Sequence, residues 1–260
     1  MVFFQHGLIE YLDQMAIVVG AATPVEWLGL PIRSAVRGQS EPGDSNHLQL
    51  AVAQLADSLT SYVVEGYPRA QRRMVRNRAL FTCVGIGAAM RKFLLCHEVA
   101  HLLFGHLQVP SSSLPQDAAW QRELDADLAG ASLVAGGSGD AAVFNMWACD
   151  IALWCFQMLE RGLAYLNTGM RTELPPTHSH PTPHWRRRSY LEEKTRELWE
   201  LEMKDASTQL GGLIVSTAEL GEQLWEATVP SWDALRRQGV RPAPVWRPRL
   251  AGANTEGGYG

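Results

Sequence analysis

Two histidines four residues apart flank a glutamate in the string His97-Glu98-Val99-Ala100-His101. On a helix, residues at i and i+4 lie about one turn apart on one face, so both imidazoles can reach a single cation. Glu98 can then lean toward a water held in the open coordination position. Zinc suits this donor set: it takes nitrogen and oxygen ligands, lowers the pKa of a bound water toward about 7 and polarises a carbonyl. Together these properties suit peptide-bond hydrolysis with Glu98 as the base. Catalytic zinc keeps three protein donors, so a third is required. The string Arg122-Glu123-Leu124-Asp125-Ala126-Asp127 offers one on the next predicted helix. Glu123 can coordinate the metal, and Asp127, four residues on and on the same face, can accept the free N–H of a ligand histidine. Asp125 is turned off that face and reads as a solvated carboxylate.

The other reactive side chains read differently. His106 follows His101 by five residues, which turns it off the metal face, and Gly105 is expected to end the helix before it; the residue reads as structural. Cys96, beside His97, reads as packed. His178, His180 and His184 share a Pro-rich loop, where a second metal cluster is the alternative to a plain polar loop. A Gly-rich phosphate loop, a GxSxG elbow and paired cysteines spaced for a structural zinc are all missing from the sequence, which disfavours those chemistries.

The elements that must position these groups are mostly helical by pattern. Leu48, Val52, Leu55, Leu59 and Val63 recur at three- and four-residue steps, an amphipathic stripe over Leu48 to Val64. Leu80 to Gly87 is apolar and compatible with either a strand or a helix start. Met90 to Phe104 reads as the helix carrying both histidines, and a second helix runs through Trp120 to Val134, capped by Ser113 or Asp117. Gly136, Gly137 and Gly139 break it. Ala141 to Leu159 is the most apolar long stretch, but Asn145 and Asp150 interrupt it, so it reads as a buried helix rather than a membrane span. Thr172 to His184 carries four prolines and cannot be regular structure. A charged helix follows from about Arg186 to Lys204 and continues into further helix. Residues 1 to 36 mix apolar runs with Pro24 and Pro31 and read as helix or strand fragments between which the pattern does not choose. The expected architecture is an α+β fold, predominantly helical, with a small sheet near the amino-terminal half: one domain over 1–238 and a flexible Pro/Gly-rich tail over 239–260.

Composition limits the function classes. With 46% hydrophobic and 19% charged residues the chain has the makings of a folded core. A net charge of −4 gives no global pull toward nucleic acid, so no nucleic-acid partner is expected. The local run Arg69, Arg72, Arg73, Arg76 and Arg78 reads as a solvated face or a patch for an acidic partner. Cys83, Cys96, Cys149 and Cys155 form no CxxC pair and lie in apolar stretches, which fits a reducing compartment; with no secretory signature at the amino terminus, a cytoplasmic location is expected.

HEVAH followed by RELDAD resembles the gluzincins, zinc peptidases with HExxH and a later helical glutamate. HEVAHLLFGHL with ELDADLAG is similar to the Lit-type phage-exclusion and ImmA/IrrE peptidases, and RELDAD resembles the RExxAD segment of HtpX-type membrane proteases. The match covers about Phe93 to Leu133, and Ser179-His180-Pro181-Thr182 resembles a His-Pro segment of the last group. The resemblance implies a zincin-like core and a protein or peptide substrate inside the cell, in phage defence or stress regulation. It also implies His180 as the donor to the oxyanion. The chain lacks a convincing set of membrane spans and a helix-turn-helix partner domain. A non-catalytic interaction protein with a structural zinc, and a metallohydrolase of a non-peptide bond, are the alternatives.

Overall fold

The structure, a computed structural model, describes residues 6–23, 44–69, 77–136 and 139–246. Those residues form seven α-helices, in the order α1 (His6–Ala22), α2 (Asp44–Glu65), α3 (Asn77–Leu103), α4 (Gln116–Ala135), α5 (Asp140–Thr168), α6 (Pro183–Glu200) and α7 (Lys204–Arg237). No strand occurs among the described residues, which overturns the expected α+β fold with a small sheet. The stretch Leu80 to Gly87 is where the sequence pattern misleads. It is the opening of α3, continuous with the histidine-bearing turns because nothing between Asn77 and Leu103 breaks a helix. A short apolar run buried on several sides lacks the alternation that distinguishes a strand from a buried helix. The unassigned amino-terminal stretch contains α1, whose Tyr11, Leu12, Met15 and Val18 are fully buried.

Helix α5 is the centre of the molecule, packed against α3, α4, α6 and α7. It is long and apolar enough to cross a membrane, yet 83% of its apolar window is buried inside the protein. Trp147 and Trp154 lie in that core, so the Trp-rich helix offers little outer surface. The polar break at Asp150 is explained by a partner distant in sequence. Arg187 of α6 donates through Nε and Nη2 to the two Asp150 oxygens at 2.9 and 2.8 Å, and through Nη1 to Gln157 at 2.9 Å. A carboxylate with no exposed surface is tolerated there because a guanidinium satisfies both oxygens.

Helices α3 and α4 run antiparallel and in close contact. Gly130 of α4 faces the backbone of His97 so closely that a Cβ would lie 3.0 Å from His97 N and 3.2 Å from His97 Cα. Helix α4 starts at Gln116 without a side-chain cap, so neither Ser113 nor Asp117 closes it as expected. Helix α6 is capped by Thr182, whose Oγ1 accepts from Trp185 N at 3.2 Å. Of the carboxy-terminal stretch expected to be flexible from residue 239, the part to Trp246 is docked on α2. Ala243 N donates to Val63 O at 2.9 Å, and the Trp246 ring meets Tyr62 edge-on at 5.1 Å. Residues 247–260 lie outside the described residues.

Candidate functional site

His97 and His101 point from α3 toward Glu123 on α4. The two Nε2 atoms are 3.1 Å apart; His97 Nε2 lies 3.8 Å from Glu123 Oε2, and His101 Nε2 lies 3.6 Å from Glu123 Oε1. All three donors fall within 4.8 Å of one another, and this group could hold a metal ion. The separations, 3.1 to 3.8 Å, bracket those of such an ion. Tetrahedral zinc with bonds of about 2.0–2.1 Å holds its ligand atoms about 3.3–3.4 Å apart. His97 and Glu123 are buried and His101 is half-buried, so the donors are largely withdrawn from solvent. The approach of α4 to α3 at Gly130 brings Glu123, two turns earlier on α4, within reach of both imidazoles.

Behind the donors lies a buried charge pair. Asp127 Oδ1 is 2.9 Å from His97 Nδ1, with the ring N–H off the line of the contact. Arg186 of α6 grips the same carboxylate, Nε to Oδ2 at 2.8 Å and Nη2 to Oδ1 at 2.6 Å, and its Nη1 lies 3.7 Å from Glu123 Oε2. Burial would raise the Asp127 pKa, but Arg186 and the His97 contact outweigh it and hold the carboxyl below its usual range. His101 is pushed the other way. Burial, followed by the neighbouring His97, lowers its pKa to about 4, so the ring is neutral and able to donate a lone pair at neutral pH.

The remaining expected residues fall into place unevenly. Glu98 is half-buried and makes no hydrogen bond or ion pair with the described residues, which leaves its carboxylate available. His180 stands at the rim, its side chain 62% exposed and its Nε2 3.7 Å from Glu123 Oε1. Its loop is held against the start of α4: Trp120 Nε1 donates to Thr177 O at 3.0 Å, and His178 Nε2 is 2.8 Å from Leu114 O. His178 is thus occupied with backbone, and His184 is exposed, so the three loop histidines do not join into a second metal group among the described residues. Asp125 accepts from Gln121 at 2.8 Å on the outer side of α4. Cys96 packs against the core, and all four cysteines are free thiols. Burial pushes the Cys83 thiol up to about 11, which disfavours a thiolate there. Of the arginine run, Arg69 pairs with Glu65, while Arg72, Arg73, Arg76 and the Arg78 side chain lie outside the described residues.

Sequence reasoning missed three contributors. Arg186 entered only as the start of a charged helix; the signal for its role is the apolar surroundings of Asp127 and Asp150, since carboxylates in such places need cations. Gly130, seven residues after Glu123 on the same face, marks close helix contact. His106 is the third: its Nδ1 lies 2.8 Å from His101 Nδ1. The helix ends at Leu103, before Gly105 as expected, but the turn at Gly105, with φ of 68°, returns the His106 ring to His101 instead of leaving it off the metal face.

Comparison with protein-family models, curated proteins and solved structures finds no match to this chain. The chemistry must therefore be read from the site itself.

Proposed function

We propose that the protein is a zinc-dependent endopeptidase of the gluzincin kind, with His97, His101 and Glu123 as ligands and Glu98 as the base. The observation that carries this reading is a ligand group assembled by two helices with its donor atoms within 4.8 Å of one another, next to a carboxylate that has no partner among the described residues. Zinc bound there supplies a Lewis acid that polarises a carbonyl and acidifies a water. Glu98 takes the proton of the attacking water and passes it to the departing amide nitrogen. His180, at the rim, donates to the oxygen on which negative charge develops. Asp127 orients His97 through Nδ1, and Arg186 keeps Asp127 ionised.

A polypeptide substrate is favoured by the surroundings of His101. Leu102, Leu103, Phe104 and Leu107 are all exposed on the turn that leads out of the site. Such an apolar lip suits side chains of a protein better than a small polar substrate. By resemblance, the substrate is an intracellular protein in phage defence or stress regulation.

The test is metal analysis combined with a search for new protein termini in cells expressing the wild type or Glu98→Gln. Stoichiometric zinc in both proteins, with new termini only in the wild type, supports the reading. A Glu98→Gln protein that cleaves at the wild-type rate refutes the base, and zinc without any new termini leaves a structural centre.

A further inference from the structure

We propose that His106 is a positioning residue for the metal centre, setting the tautomer of His101 and reversing its own tautomer when a metal binds. The inference rests on the metal-binding reading above but not on hydrolysis.

Four groups form one polar chain. His106 Nδ1 is 2.8 Å from His101 Nδ1, His101 Nε2 is 3.1 Å from His97 Nε2, and His97 Nδ1 is 2.9 Å from Asp127 Oδ1. Each link between neutral groups needs one proton and one lone pair. Asp127, fully buried and gripped through both oxygens by Arg186, can only accept, and its charge 2.9 Å from His97 Nδ1 favours the proton on that nitrogen even though the N–H lies off the line, which leaves a lone pair at Nε2. In the metal-free protein His101 must then place its proton on Nε2, because two lone pairs facing at 3.1 Å would repel. That leaves His101 Nδ1 as an acceptor, filled by the Nδ1–H of His106.

A cation shared by the two Nε2 atoms demands the opposite arrangement at His101. Its Nε2 must offer a lone pair, so its proton belongs on Nδ1, and His106 Nδ1 becomes the acceptor. The proton balance closes with every ring neutral. His101 releases its Nε2 proton to solvent and receives one at Nδ1 from His106, while His106 takes one up at Nε2 on its half-exposed ring. An acceptor aimed at the far nitrogen of a ligand imidazole fixes the ring and strengthens its donor atom. His106 thereby does for His101 what Asp127 does for His97. The turn is built to hold it: Arg122, one residue before the ligand Glu123, donates through Nη1 to His106 O at 3.0 Å and to Val109 O at 2.8 Å.

The experiment follows the ring nitrogens of the full chain, labelled with 15N at histidine, by two-bond 15N–1H correlation before and after one equivalent of Zn2+. His106 is expected to be protonated at Nδ1 without metal and at Nε2 with it, and His101 to change in the opposite sense. In parallel, His106→Leu is expected to weaken zinc binding, measured by chelator competition, by roughly 10–100-fold. His106→Asn, whose amide can present either an acceptor or a donor at the place of Nδ1, should restore affinity to within about threefold of the wild type. Zinc binding by the wild type with no change of His106 tautomer, or with undiminished affinity in His106→Leu, overturns this inference alone. A wild type that binds no zinc overturns the metal-binding reading and this inference together.

Discussion

Gly130→Ala tests the helix contact on which the site depends. The added Cβ would sit 3.0 Å from His97 N, 3.2 Å from His97 Cα and 3.4 Å from the Cys96 carbonyl carbon. Comfortable contacts of this kind lie at about 3.5–4.0 Å, so α3 and α4 must part by about half an ångström at that point. All three atoms are backbone within a 27-residue helix, and no rotamer change can relieve the clash. Alanine favours the helix by about 1 kcal/mol over glycine, while overpacking costs about 1–3 kcal/mol, so the net loss of stability should be only about 0–2 kcal/mol. The metal centre is more sensitive. Glu123 already lies 3.6 and 3.8 Å from its two partner nitrogens, beyond the separation that tetrahedral zinc imposes. Moving α4 outward stretches both gaps, and zinc affinity should fall by roughly 10–100-fold, or about 1.4–2.8 kcal/mol. Chelator competition measures the affinity, and urea unfolding of the metal-free protein measures the stability. Gly212→Ala is the control, because a Cβ there meets nothing within 4 Å; it should gain about 0.5–1 kcal/mol and leave zinc binding unchanged. If Gly130→Ala gains as much as Gly212→Ala and keeps its zinc, the close approach of α3 and α4 is wrong.

Further outcomes follow from the buried charges. Asp127→Ala leaves Arg186 with Glu123 at 3.7 Å as the nearest carboxylate, and should cost about 3–5 kcal/mol in urea unfolding; a loss under about 1 kcal/mol would show that the pair is not buried as described. Arg187→Met strands the fully buried Asp150, and its melting temperature should drop by roughly 6–15 °C against a wild-type scan; an unchanged melt would contradict the burial of Asp150. His101 has a folded pKa of about 4 against an ordinary 6.5, so the unfolded chain takes up the proton first. The metal-free protein should therefore be unaffected by this group above about pH 6.5 and lose stability as pH falls from there toward about 4. Allowing for solvent screening the loss is about 2 kcal/mol. Urea titrations of wild type and His101→Gln across that window should diverge in slope, and parallel curves would contradict the assignment. Removing metal with a chelator should leave the helical circular dichroism intact while lowering the melting temperature, since Arg186 still partners Asp127 and approaches Glu123; collapse of the helices would contradict this.

The spacing of residues along single helices was enough to place His97 and His101 on one face and Glu123 and Asp127 on another, because helical period alone decides which side chains stand together. It also delimited α3 at Gly105 and marked Ala141 to Leu159 as interior. What the sequence could not decide was every relation between elements. Whether Leu80 to Gly87 extends as strand or coils as helix depends on what surrounds it, and an apolar run buried among helices carries no alternation to tell. Arg186 and Arg187 look like the solvated Arg188 beside them until α6 is laid against α4 and α5, where two buried carboxylates take one guanidinium each. His106 reaches His101 only because the chain turns at Gly105 and Arg122 holds the turn. Periodicity is a local property and was legible; pairing across helices is set by close packing between residues far apart in the chain, and only the folded arrangement specifies it.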